Sequence, residues 1–281
     1  MKKFGTAALT LALVGSLTLP ALAADASGLV IAPADTGYGH TITLNGETLD
    51  LTGIPGAPSA DLLPLRLLAE ADHGSAYWDE ENNEGWFTFG SNQIVVKFSD
   101  NTVTVNDTPA QVGGVSVVDG VTFISADVFE GWEGYTVTTD DKTGSMTVTT
   151  PNNDPLVKLA YSMMDTSEMF GTRADGDTLT EAYKIPADQF EQVVAFFPMI
   201  TSPDTIIVGK LIDGANVDAV KQGLEAYRKS QEDTFSWYLS QNLPKVQDAR
   251  TLVEDGYLLF FIGNNADEVE TLFHTYVEAQ G

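Results

Sequence analysis

Between about residues 40 and 150 the chain repeats itself at a period of about sixty residues. Ile42-Thr43-Leu44-Asn45-Gly46 opens one copy and Val103-Thr104-Val105-Asn106-Asp107 opens the next. Leu63 to Glu70 stands sixty positions before Phe123 to Glu130, and Gly85 to Phe89 stands sixty before Ser145 to Thr149. Each copy reads strand, apolar helical turn, strand, acidic turn, strand. The duplication accounts for half of the chain as scaffold and leaves few residues over for chemistry.

Alternation carries the strands. Ile42 and Leu44, then Leu49 and Leu51, point one way with polar residues between them, the period of two that a half-buried strand needs. Trp86 to Phe89, Ile94 to Phe98, Val103 to Val105 and Met146 to Val148 continue the pattern with β-branched and aromatic residues. Asn45-Gly46 and Asp119-Gly120 tolerate the positive φ of tight hairpins, and Asp140 to Gly144 suits a longer hairpin loop. Pro64 pre-sets φ for a first helical turn, after which Leu65, Leu68 and Ala69 share one face. The expected fold of residues 40–150 is therefore a β-rich, duplicated antiparallel domain with short helices.

The order strand, Asn45-Gly46, strand, Leu63-Pro64-Leu65-Arg66, apolar helix, Trp78-Asp79, acidic turn, strand resembles the copper amine oxidase N-terminal-like domain. The resemblance covers about residues 40 to 150. In the second copy Ile124-Ser125-Ala126-Asp127 replaces the Leu-Pro-Leu-Arg box, and Thr138-Thr139 stands where Trp78-Asp79 stands in the first. In copper amine oxidases this domain is a stalk, an antiparallel sheet wrapped around a helix and remote from the copper. The resemblance thus implies a spacer, with Leu63, Pro64, Leu65, Arg66, Trp78 and Asp79 in structural roles. The oxidase reaction needs a redox-cofactor Tyr and three His ligands in a separate domain. Here His40, His73 and His274 are scattered, and no pair has metal-site spacing. No catalytic, cofactor-binding or metal-binding residue is expected.

Arg66 is expected to tie its helix to an adjacent acidic loop. Trp78, Trp86 and Trp132 are expected in the core of a small β-rich domain, the alternative being a carbohydrate-stacking platform. Asp79 to Gly85 has the look of a calcium loop, which needs Gly at its sixth position and Glu at its twelfth. Those positions hold Glu84 and Gly90, so a solvated hairpin tip is expected.

Residues 151–155 are polar and bracketed by Pro151 and Pro155, which marks a linker. Beyond it the composition turns helical. Leu156, Leu159, Ala160, Met163 and Met164 recur at helical spacing, and Phe190, Val193, Val194 and Phe197 suggest a second helix. Asp204 to Ile212 is a buried strand candidate. Val217, Val220, Leu224, Tyr227, Phe235 and Tyr238 stripe a long helix, with Gln231 in the one gap. Arg250 to Val253 and Tyr257 to Ile262 read as a hairpin, and Asn265 with Glu268 as the capping box of a last helix. Residues 156–281 are therefore expected to form an α+β domain, an antiparallel sheet packed by helices on one face. Thr201 to Asp204, Tyr227 to Gln231, Phe235 to Tyr238 and Gly256 to Ile262 resemble a domain of unknown function, number 4358, over about residues 155 to 278. That family implies no activity. Asp175 and Asp177 flank Gly176 in what reads as a surface loop, and His274 reads as a partly exposed helix residue.

Residues 1–23 have the anatomy of a bacterial signal peptide: Lys2 and Lys3, an apolar run from Ala7 to Leu19, then Ala21-Leu22-Ala23. A flexible segment, 24–39, is expected to follow. The expected location is secreted or associated with the cell envelope, with no stable membrane span after cleavage. No cysteine is present, which excludes disulfides and thiol catalysis. The net charge of −26 repels phosphate backbones, so no nucleic-acid partner is expected. These features favour a non-enzymatic binding or adaptor protein whose partner is a cell-wall glycan or another envelope protein. Alternatives are a carboxylate-based hydrolase of an extracellular polymer and a structural protein stabilised by divalent cations. The cation reading requires the melting temperature to rise with calcium and fall with chelator; an unchanged melt removes it.

Overall fold

The computed structural model describes residues 39–57, 59–198 and 201–281. The expected signal peptide (1–23) and all but Gly39 of the expected flexible segment lie outside the described residues. The chain divides into two compact units with the boundary between Pro151 and Asn152.

Unit 1 opens with β1 (Ile42–Leu44) and β2 (Glu47–Thr48). Asn45 and Gly46 join them at φ 51° and 89°, the positive values that a two-residue hairpin needs. β3 (Leu62–Pro64) runs straight into α1 (Leu65–Ala71), where Pro64 at φ −69° sets the first turn and Leu65, Leu68 and Ala69 are buried. The chain then turns at Gly74, so close to the next hairpin that a Cβ would collide with the Thr88 carbonyl. β4 (Ser75–Asp79) and β5 (Glu84–Phe89) complete the first copy. β6 (Asn92–Lys97) hands over to the second copy. That copy comprises β7 (Thr102–Val105), β8 (Thr108–Ala110), β9 (Val115–Val118) and β10 (Val121–Ser125). A 3-10 turn (Ala126–Phe129), β11 (Thr136–Thr139) and β12 (Met146–Thr149) finish it.

β3 and β10 are antiparallel neighbours, with Leu63 opposite Ile124, Leu62 opposite Ser125 and Pro64 opposite Phe123. This ladder maps onto itself when each residue is exchanged for the one 61 positions away, as Leu63 is for Ile124. The copies are thus related by a local twofold at that pair, and the interval is 61 rather than sixty. The hairpins agree: Trp78 faces Gly85 in one, and Thr139 faces Met146 in the other. A shift of one moves every strand residue to the opposite face. It also supplies a second copy for half of Trp78-Asp79: Asp140 now matches Asp79, while Thr139 stands in place of Trp78. Each accepts from the backbone N–H groups two and three residues on, Glu81 and Asn82 or Lys142 and Thr143, at 2.8 to 3.1 Å.

Each hairpin shares a sheet with the opening strands of the other copy. The orders are β4-β5-β6-β7-β8 and β11-β12-β1-β2. β1 runs parallel to β12, Ile42 beside Met146 and Leu44 beside Val148, so the first and last described strands of the unit are neighbours. Matched side chains of the two copies meet in one core, among them Ile42 and Val103, Leu68 and Phe129, Phe87 and Val148. Phe89, Phe129, Trp132 and Tyr135 add an aromatic cluster with ring centroids 5.2 to 6.2 Å apart. Trp78 packs on Phe98 at 5.4 Å and Trp86 is partly buried.

Polar groups lock the closure. The Thr150 N–H donates to Asn45 Oδ1 at 2.9 Å, while Asn45 Nδ2 donates to Asp72 Oδ1 at 3.1 Å and to Thr150 Oγ1 at 3.0 Å. The Thr150 hydroxyl donates to Asp72 Oδ1 at 2.6 Å, and both residues are buried. Asn106, the twofold mate of Asn45, accepts from the Gln93 N–H at 2.9 Å in the same manner but in an exposed setting.

In unit 2 the expected linker is a helical entry. Pro151–Asn153 form a 3-10 turn, and Asp154 caps α2 (Pro155–Ser167) by accepting from the Leu156 and Val157 N–H groups. β13 (Gly171–Ala174) and α3 (Gly176–Glu181) follow. β14 (Phe190–Pro198) occupies the place of the expected second helix. The cause is burial on both faces: Val194 and Phe196 face one core while Ala195 and Phe197 face another, which erases the alternation that marks a strand. β15 (Thr205–Leu211), α4 (Val217–Trp237), α5 (Leu243–Gln247), β16 (Arg250–Glu254), β17 (Tyr257–Ile262) and α6 (Ala266–Glu278) complete the unit.

The strands form one antiparallel sheet in the order β13-β14-β15-β17-β16. Helices cover both faces rather than the expected one. α2 and α6 pack on Val194, Phe196, Ile206, Val208, Leu259 and Phe261. α3, α4 and α5 pack on the alternate residues, among them Phe197, Ile207, Leu258 and Phe260. Gly209 is required where the β14 bulge brings Phe190 across, since an added Cβ would lie 2.5 Å from that ring.

The Asn45 amide is tested by glycine, which keeps the left-handed backbone and removes only the side chain. Asn45→Gly is expected to destabilise unit 1 by about 1–3 kcal/mol, the cost of leaving buried polar groups short of a partner. Asn106→Gly is expected to cost about 0.5 kcal/mol. Urea unfolding followed by circular dichroism separates the two.

Candidate functional site

The resemblance residues disperse on folding. Leu63 and Leu65 are buried in the unit 1 core, and Pro64 caps α1. Arg66 pairs with Glu70 one turn along the same helix at 2.8 Å, instead of reaching an acidic loop. Both side chains are about half exposed, so the pair contributes little. Asp79 sits at the start of the β4–β5 turn, where the Asn82 side-chain amide and backbone N–H hold its carboxyl below the ordinary range. Asp140 is lowered in the same way by the Lys142 and Thr143 N–H groups. These aspartates shape turns, and of the six Leu63 and Leu65 belong to the buried core.

The histidines do not converge. His40 Nδ1 lies 2.8 Å from the Thr143 carbonyl, and His73 follows α1 at φ 59°. His274, in unit 2, lies between Glu254 and Glu270. Among the described residues no group of three or more His, Asp or Glu side chains could hold a metal ion.

Carboxylate chemistry calls for two acids in unlike surroundings within one cleft. Among the described residues each unit buries one carboxylate, Asp72 in unit 1 and Asp204 in unit 2. Asp72 belongs to the closure network of β1 and β12. Asp204 receives Lys245 Nζ at 3.0 and 3.3 Å, which ties α5 to the start of β15. Asp175 caps α3 by accepting from the Thr178 N–H at 2.7 Å, so it belongs to a helix end rather than a surface loop. A depression on unit 2 is lined by Asp218, Lys221, Gln222, Glu225, Ala226 and Lys229, all from the outer face of α4. One helix face of mixed charge offers no convergent groups.

A buried polar pair stands under α4. Tyr227 OH lies 2.9 Å from Thr205 Oγ1, which donates to the Pro203 carbonyl. The Tyr227 ring packs edge-on against Tyr183 and Phe197, and burial pushes its phenol up. The pair holds the long helix on the sheet. Asn265 is left-handed at φ 56° and turns its amide to the Thr166 carbonyl at 2.7 Å, so the expected capping box is absent.

Unit 2 leaves Ile212, Val253 and three aromatic side chains to solvent, while unit 1 exposes Tyr77. Phe170 is 86 %, Trp237 79 % and Tyr238 44 % exposed. Phe170 precedes Gly171, which pairs with Pro198 at the end of β14. Trp237 ends α4, and Asn242 in the next turn donates to the Thr201 carbonyl. Phe170 thus adjoins the strand that pairs with the end of β14, while Trp237 and Tyr238, with ring centroids 6.0 Å apart, stand at the end of α4. The sequence stripe had placed Tyr238 on the inner face; α4 ends at Trp237, and the chain turns both rings outward.

Residues 43–148 match the family model of the copper amine oxidase N-terminal domain, and residues 164–263 match that of a domain of unknown function, DUF4358. The two follow in that order, and neither description is that of a catalytic domain. Nothing among curated proteins or solved structures matches the chain.

Breaking the Asp204–Lys245 pair tests the unit 2 polar contacts. Lys245→Met strands a buried carboxylate and is expected to cost about 1.5–3 kcal/mol in urea unfolding. Lys210→Met breaks only an exposed pair with Glu191 and is expected to leave the midpoint unchanged within error.

Proposed function

We propose that this chain is an exported, non-catalytic binding or adaptor protein of the bacterial cell envelope. Its first unit acts as a stalk-like spacer and its second presents the surface that meets the partner. The observation that carries this reading is the exposure of three aromatic side chains, Phe170, Trp237 and Tyr238, on unit 2. Leaving large aromatic faces in water forfeits burial free energy, and Trp and Tyr combine apolar area with a polar handle suited to interfaces. The charge of −26 disfavours anionic surfaces and leaves a cell-wall glycan or another envelope protein as partner. Further support comes from the polar groups of both units. Asp72, Asp204, Tyr227 and Asp154 are engaged in contacts that hold strands and helices in place.

Co-sedimentation with purified cell walls tests the reading. The chain without residues 1–23 is expected in the pellet, and a variant with Phe170→Ala, Trp237→Ala and Tyr238→Ala in the supernatant. Full recovery of the unsubstituted chain in the supernatant removes the glycan, and equal retention of the variant removes the aromatic surface.

A further inference from the structure

We propose that α6 is a proton-dependent latch, whose hold on the edge strand β16 tightens when His274 is protonated and slackens when it is neutral. His274 lies between carboxylates from two elements. Its Nδ1 is 2.6 Å from Glu254 Oε2 at the end of β16, and its Nε2 is 3.5 Å from Glu270 Oε1 one turn back on α6. An imidazolium donates from both nitrogens, so it suits both neighbours. The neutral ring donates from one nitrogen and turns a lone pair toward the other carboxylate.

The pair belongs to a longer chain of charges along the seam. Glu270 Oε2 also lies 3.3 Å from Arg250 Nε on β16. Arg250 reaches Asp267 on α6 at 2.9 Å and Asp248 before β16 at 2.5 Å. Three carboxylates thus face one permanent cation and a fourth, Glu254, faces His274, the member whose charge changes near neutral pH. The other elements packed against α6 bring β17 Tyr257 and α2 Asp154, Lys158 and Tyr161. Tyr257 and Asp154 act on Tyr276, and Lys158 Nζ reaches Asn153 at 2.9 Å. Asp255 in the β16–β17 turn and Glu278 further along α6 add negative charge.

The hydrogen bond to Glu254 raises the proton affinity of His274 above its ordinary value of 6.5, with Glu270 adding and burial opposing. The sign follows from linkage. A group whose pKa is higher folded than unfolded contributes fully below its unfolded pKa and loses that contribution as pH climbs through the folded one. The latch is therefore closed below about pH 6.5 and slackens above it. Apolar contacts of Val269, Phe273 and Val277 hold α6 at every pH, so the proton adjusts local opening and leaves the fold intact. This inference does not depend on the identity of the partner.

Hydrogen exchange of the full chain at pH 6.0 and 8.0, corrected for intrinsic rates, tests it. The α6 amides facing β16 are expected to open about threefold more at pH 8.0, a size suited to a half-exposed pair. His274→Gln and Glu254→Gln are each expected to remove most of that difference, and 1 M salt to shrink it. Unit 1 amides serve as the reference. Equal α6 opening at both pH values, or an undiminished pH dependence in His274→Gln, overturns the latch.

Discussion

Unit 1 depends on bringing its first described strand beside its last. β1 and β12 pair in parallel across some hundred residues, as the Thr41–Ser145 contact spans 104. Such closure is costly in chain entropy and is repaid only when the elements between are in place. The twofold supplies that condition. Each hairpin needs the opening strands of the other copy to complete its sheet, and the β3–β10 ladder holds the copies at the correct register. Asn45, Asp72 and Thr150 then join the end of β1, the end of α1 and the end of β12 in one buried network.

Unit 2 is governed by a different constraint, burial of both sheet faces. β17 carries Leu258, Leu259, Phe260, Phe261 and Ile262 in succession, which serves two cores only if helices lie on each side. With α2 and α6 on one face and α4 on the other, the sheet has little surface left for a ligand. The ends and edges of the sheet are what remains, and there the exposed aromatics and the α6–β16 seam are found.

Much of this architecture was legible in the residues. Asn45-Gly46, Asp119-Gly120 and Asp255-Gly256 mark hairpins because few residues tolerate φ of 45° to 89°, and the structure places them there. The helices α2 and α4 followed from spacings of three and four. β14 did not, because Val193 to Phe197 is apolar without a break and periodicity alone cannot separate a doubly buried strand from a helix. The register was misjudged by one for the segments starting at Leu63 and Gly85, although Ile42 and Val103 already stood 61 apart; the β3–β10 ladder decides between the two offsets. Of the polar sites, Asp72 stood unnoticed because its partners Asn45 and Thr150 lie 27 and 78 residues away. His274 was seen as a helix residue, but nothing local points to Glu254, twenty positions earlier on a strand.

The central claim is that unit 1 folds as one interlocked body closed by β1 and β12. Native-state hydrogen exchange in increasing denaturant addresses it directly, because it separates local fraying from global opening. If the account is right, the β1 and β12 amides exchange only with unfolding of the whole unit. Their opening free energy and denaturant slope then match those of β3 and β10. Exchange of β1 through a small, denaturant-independent opening, with β3 and β10 still protected, would contradict it.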